Sequence, residues 1–119
     1  MQKVIITKEN DPNQGRIGLA EVVSEGIAVY VNFEPQPKLY GYNEIKVVSK
    51  ATVKDATHLA FNQQREFFPI LDLVRAVRAI TSREYLMDGT ILRRLRELRE
   101  DGFINYEVFD TQKAKYKKL

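Results

Sequence analysis

Apolar and polar residues alternate with a period of two along residues 1–50 and switch to a period of about 3.6 beyond Thr52. In the first part, short stretches rich in Val, Ile and Tyr are separated by turn formers, which predicts a small antiparallel sheet. Four strands are expected, over residues 4–8, 17–23, 27–33 and 39–48. Asn10-Asp11-Pro12-Asn13-Gln14-Gly15 and Ser24-Glu25-Gly26 provide the turns between the first three. Along the third strand, Ile27, Val29, Val31 and Phe33 share one face and Ala28, Tyr30 and Asn32 the other. Pro35 and Pro37 end it, because proline has no amide proton to give to a ladder. A sheet this short removes its exposed edges by closing into a barrel.

In the second part, Val53, Ala56, Ala60 and Phe67 lie on one helical stripe, with Thr52 as a cap. Pro69 biases Phe68 out of helical geometry and suits the first position of a new helix, so a break is expected near Phe68. The helix over residues 69–79 buries Ile70, Leu73, Val74 and Val77. Thr81-Ser82-Arg83-Glu84 fits a capping box for a short helix ending at Met87, and Asp88 caps a third helix that stops at Gly102. Residues 103–109 alternate as a strand, 110–113 turn, and 114–119 return as its hairpin partner.

Composition narrows the classes without choosing among them. The 119 residues suit one compact domain or two very small ones, and there is no cysteine, which excludes disulfides, thiolate nucleophiles and Cys-ligated zinc. A reducing compartment follows, and with no long apolar run and an opening that turns polar by Lys8, a cytoplasmic protein without membrane association is expected. Nineteen Lys and Arg stand against sixteen Asp and Glu, a net charge of +3 that permits nucleic acid without demanding it. The cations concentrate toward the C-terminus, at Arg93, Arg94, Arg96, Arg99, Lys113, Lys115, Lys117 and Lys118.

Two resemblances organise these observations into an α+β chain. Val29-Tyr-Val-Asn-Phe-Glu34, a turn, then Tyr40, Tyr42, Glu44-Ile45 and Val47-Val48 resembles the strand–turn–strand segment of SH3-like barrels of the KOW and Tudor type. Ile80-Thr-Ser-Arg-Glu84, Thr90-Ile-Leu-Arg-Arg-Leu-Arg-Glu-Leu-Arg99 and Asp101-Gly-Phe-Ile-Asn-Tyr106 resembles the phage and bacterial winged helix-turn-helix pattern. Together they imply an SH3-like β-barrel at 1–50, a connecting helix at 51–68 and a winged-helix domain at 69–119.

On the third helix, Ile91, Leu95 and Leu98 cluster on one side with Leu92 at its margin; Arg93, Arg96, Glu97 and Glu100 lie opposite, and Thr90 and Arg94 on the flanks. The winged-helix resemblance implies that this helix enters the major groove of double-stranded DNA, where arginine can bond both acceptors of a guanine. Arg83, Thr90, Arg93, Arg94 and Arg96 are then the candidate nucleic-acid ligands, with Lys113, Lys115 and Lys117 on the backbone beside them. The competing account makes Arg93–Glu97 and Arg96–Glu100 ordinary surface pairs and the lysines a solubilising tail. The expected function is a non-enzymatic DNA-binding regulator or accessory factor of phage or mobile-element type, acting by occupancy and needing no cofactor, metal or small-molecule substrate. Asp88, Glu97 and Glu100 favour the alternative of a protein-binding adaptor or inhibitor on the same fold.

Tyr30, Tyr40 and Tyr42 are candidates for an aromatic partner-binding surface on the barrel, for a protein or for RNA. Gly15-Arg16-Ile17-Gly18 has the spacing of a nucleotide-clamping glycine loop, but it opens a strand instead of joining two helices and reads as a structural turn. His58 is the single histidine, and no carboxylate pair or phosphate-binding glycine loop accompanies it.

Overall fold

A computed structural model describes all residues from Met1 to Leu119. The chain is α+β, with three α-helices and two antiparallel sheets. It divides into two compact units, Met1–Ala51 and Thr52–Leu119.

The first unit holds β1 (Gln2–Ile6), β2 (Ile17–Val23), β3 (Gly26–Val31), β4 (Lys38–Tyr40) and β5 (Ile45–Lys50), in the spatial order β4-β3-β2-β1-β5. Val4, Ile6, Ala20, Ile27, Val29, Val31 and Tyr40 form its core on one face of this sheet, with Ile45 packed against them. The barrel expected here does not close: β4 and β5 are the two edges and do not pair. The long fourth strand expected over 39–48 is broken by a 3-10 turn at Tyr42–Glu44. The Glu44 carboxylate accepts from the Gly41 amide at 2.6 Å, and the Glu44 amide donates to the Gly41 carbonyl at 3.0 Å. This local bonding sends residues 38–40 to β3 and residues 45–50 to β1. The third strand also ends early, since Asn32 and Phe33 adopt left-handed backbone angles (φ 54° and 60°) before either proline is reached.

The glycine pair serves the sheet. Gly15 turns with φ 83° and its amide donates to the Ile6 carbonyl at 2.8 Å. A Cβ on Gly18 would meet the Tyr30 carbonyl oxygen at 2.6 Å, so no side chain fits between β2 and β3 there.

The second unit runs α1 (Val53–Gln63), β6 (Phe67–Pro69), α2 (Ile70–Thr81), α3 (Asp88–Glu100), β7 (Tyr106–Asp110) and β8 (Lys115–Lys118), and its sheet has the order β6-β8-β7. The helix expected as a connector is instead an integral layer: α1 buries Ala56, Leu59, Ala60 and Phe61 and packs on α2 and α3. Thr52 caps it as expected, its hydroxyl accepting from the Asp55 amide at 3.1 Å while the Asp55 carboxylate accepts from the Thr52 amide. Phe67 is not on its stripe but begins β6, which pairs with β8.

The short helix expected to end at Met87 does not form. α2 continues to Thr81, whose hydroxyl donates to the Val77 carbonyl at 2.8 Å instead of capping, and Ser82 ends the helix in the left-handed region (φ 55°). The turn that follows is pinned by Arg78, which donates from Nε to the Leu86 carbonyl at 2.9 Å and from Nη2 to Asp88 Oδ1 at 2.8 Å. Asp88 is therefore an ion-pair partner and the first residue of α3, and Met87 occupies the cap position with no side-chain bond. α3 itself matches its expectation, burying Ile91, Leu95 and Leu98 and ending before Gly102 (φ 82°). No helix is long and apolar enough to cross a membrane.

Candidate nucleic-acid interface

The buried stripe of α3 fixes what its other sides present. Arg93 and Arg96 are exposed, and neither forms an ion pair. The Arg93–Glu97 and Arg96–Glu100 pairs of the competing account are absent; the pair that forms is Arg94–Glu97, three residues apart, with Nη1 at 2.6 and 2.9 Å from the two carboxylate oxygens. About one third exposed on each side, this pair contributes only about a few tenths of a kcal/mol, so another anion can compete for the guanidinium.

Arg83, Thr90 and Arg94 come together along one flank of α3, where with Thr52, Val53 and Lys54 they line an open groove. Lys54 went unread in the sequence because its partner is remote: its ammonium lies 2.7 Å from Asp101 Oδ2. That hydrogen bond holds the Lys54 ammonium above its ordinary pKa. The groove thus collects three cations, two of them already engaged by carboxylates and Arg83 without an ion-pair partner.

β8 separates its lysines by strand alternation. Tyr116 and Lys118 face the aromatic core of the unit, where Tyr116 packs 5.9 Å from Phe68 and 5.6 Å from Tyr106, ring centre to ring centre. Lys118 is structural: Nζ donates to the Gln64 carbonyl at 3.0 Å and the Asn62 carbonyl at 3.4 Å, closing the end of α1 above the Phe61 ring. Its burial pushes its pKa down. Arg99 ties α3 to β7, with its guanidinium 4.3 Å from the centre of the Tyr106 ring; burial raises the Tyr106 phenol pKa, against the pull of Arg99.

Lys115 and Lys117 stand on the opposite, solvent-facing side of the sheet, and Lys113 lies in the hairpin turn. The same side carries two rings that are not among the candidate site residues. Phe67 is 45% exposed and Phe109 60%, and they meet edge to face at 5.0 Å with the Lys117 ammonium 5.5 Å from the Phe67 centroid. Alternation along β7 does place Phe109 opposite Tyr106, but Phe67 was hidden by its assignment to a helical stripe.

The three tyrosines of the first unit do not share a surface. Tyr40 belongs to the core at 5% exposure, its hydroxyl donating to Asp11 Oδ1 and accepting from Asn13 Nδ2, both at 3.2 Å. Tyr42 is exposed and lines an apolar groove with Val22, Ile27 and Val47 on the core side of the sheet. Tyr30 alternates with the core residues Val29 and Val31 and so faces away from that groove, with its hydroxyl donating to Glu21 at 3.4 Å. Burial first, and Glu21 second, raise its pKa.

His58 lies beside Phe103, ring centres 5.7 Å apart, and burial pushes the imidazole below its ordinary pKa. No group of three or more His, Cys, Asp or Glu side chains is placed to hold a metal ion. The chain matches no protein-family model, no curated protein and no solved structure.

Proposed function

We propose that the second unit is a winged helix that binds duplex DNA, with α3 as the reading helix and the β7–β8 hairpin as the wing. The observation that carries this is the pair of exposed arginines, Arg93 and Arg96, on a helix anchored through Ile91, Leu95 and Leu98 and left without carboxylate partners. The succession helix, strand, helix, helix, hairpin supports it, now beginning at Thr52 instead of Pro69. Arg93 and Arg96 read base edges or hold phosphates; Arg83, Thr90 and Arg94 approach the backbone along the groove; Lys113 and Lys115 add contacts from the wing. The protein acts by occupancy. For the first unit, the order β4-β3-β2-β1-β5 with a helical turn before the last strand supports an SH3-like sheet that recruits a protein or a second stretch of nucleic acid.

Titration of a labelled duplex at about 50 and about 200 mM salt tests the reading. Binding weakens by an order of magnitude or more between the two, and Arg93→Ala with Arg96→Ala weakens it further while flattening the salt slope by about one per lost phosphate contact. Glu97→Gln, which releases Arg94, tightens binding severalfold. An adaptor is the second reading, favoured by Tyr85 and Met87, which are 92% and 73% exposed in the turn before α3 and have the character of protein-binding anchors. Absence of duplex binding at low salt would leave that reading in place of the first.

A further inference from the structure

We infer that the solvent-facing side of the hairpin sheet is a stacking platform for an unpaired nucleobase, so that the protein prefers the junction where a duplex opens into a single strand. This rests on the nucleic-acid reading above and adds a second kind of contact to it. Phe67 on β6 and Phe109 on β7 reach toward each other across β8, and the fold does not require either ring, because the buried side of the sheet is already filled by Phe68, Tyr106 and Tyr116. Two large rings in contact, 45% and 60% exposed, are a patch and not scattered apolar residues.

The geometry favours a base on Phe109. At 5.0 Å and 69° the rings are in edge contact and too close to clamp anything between them, and Phe109 is the more exposed of the two. Lys117 lies over Phe67, and Lys115, one strand alternation away on the same side, forms no ion pair. Exposed rings with one ammonium over Phe67 and a second lysine on the same side of the sheet match a ligand that is aromatic and anionic at once, which is a base with its phosphate. Two carboxylates share the region. Asp110 accepts from the Lys113 amide at 3.1 Å and so is engaged in the turn, while Glu107 sits opposite Lys117 in the ladder without drawing the ammonium off the Phe67 ring. Bases inside an intact duplex offer no free face, which leaves an unpaired base as the occupant.

The test compares a blunt duplex, the same duplex with a short overhang carrying 2-aminopurine, and the free single strand, each against the full chain. The overhang improves affinity about tenfold, the order of one base–aromatic stack, and quenches the 2-aminopurine fluorescence. Phe109→Ala abolishes both the gain and the quenching and leaves blunt-duplex affinity unchanged; Phe109→Trp keeps both. Lys115→Ala lowers overhang affinity without restoring fluorescence. An overhang that adds nothing and leaves the fluorophore bright overturns the platform, as does a Phe109→Ala loss equal on all three ligands. A Phe109→Ala variant that changes the oligomeric state by light scattering, with no change in quenching, assigns the patch to a second copy of the chain and overturns it too. Overhang quenching with no binding to blunt duplex retains the platform and removes the major-groove reading, so the two fail separately.

Discussion

A guanidinium already held by a carboxylate is a poorer phosphate ligand than a free one, and α3 carries both kinds. Arg94 is bound by Glu97 at 2.6 Å, while Arg93 is exposed and without a partner. The competing account paired Arg93 with Glu97, whereas Arg94 takes that carboxylate, because i,i+3 and i,i+4 partners are about equally close on a helix and rotamers choose between them. Tyr40 and Phe67 mark the opposite limit: the core position of one and the exposure of the other depend on strand pairing that local pattern does not encode. His58 makes a residue-scale prediction. Burial lowers its pKa in the folded chain below the ordinary 6.5, so the unfolded chain binds the proton first as pH falls. Its contribution is intact above about 6.5 and is lost progressively below that, until the folded imidazole also protonates. Glu44, whose carboxyl the Gly41 amide holds below 4.5, titrates in a separate, more acidic window. The denaturation midpoint measured within the His58 window, from about pH 6.5 downward and above the Glu44 window, should fall with acidification in the parent chain, and less so in His58→Gln; parallel profiles would contradict this.

At the scale of elements, capping chemistry was legible at Thr52 and misleading at Thr81. Thr52 with Asp55 was half read, as a threonine cap, and forms a complete capping box. Thr81 has the same residue type and fails as a cap, because α2 extends two residues further than expected and its hydroxyl bonds back to Val77. What ends α2 is Ser82 in the left-handed region, together with Arg78 reaching Leu86 and Asp88 across the turn. No window along the chain reveals an arginine that pins a turn ten residues away. Thr52→Ala removes the cap of α1 and should destabilise the second unit by about 1 kcal/mol, read as a shift in its unfolding midpoint. A shift indistinguishable from zero would mean that tertiary packing alone holds the start of the helix.

At the scale of the whole molecule, the switch from a period of two to one of about 3.6 fell close to the observed boundary, with units Met1–Ala51 and Thr52–Leu119. The closed barrel was not legible correctly: four strands were expected where five form, and the Gly41–Glu44 bonding that divides the last of them leaves β4 and β5 as unpaired edges. The placement of α1 within the second unit was likewise hidden, since a helix between two patterned regions reads equally well as spacer or layer. The proposed division of labour has the second unit meeting duplex DNA through α3 and the hairpin. Backbone amide chemical shifts of the labelled chain, followed while a blunt duplex is added at low salt, test it most directly. Perturbations should concentrate at Arg83, at Thr90 to Arg96 and at Lys113 to Lys117, with the strands of the first unit little changed. A map centred on β1 to β5, or no perturbation at all, would contradict it.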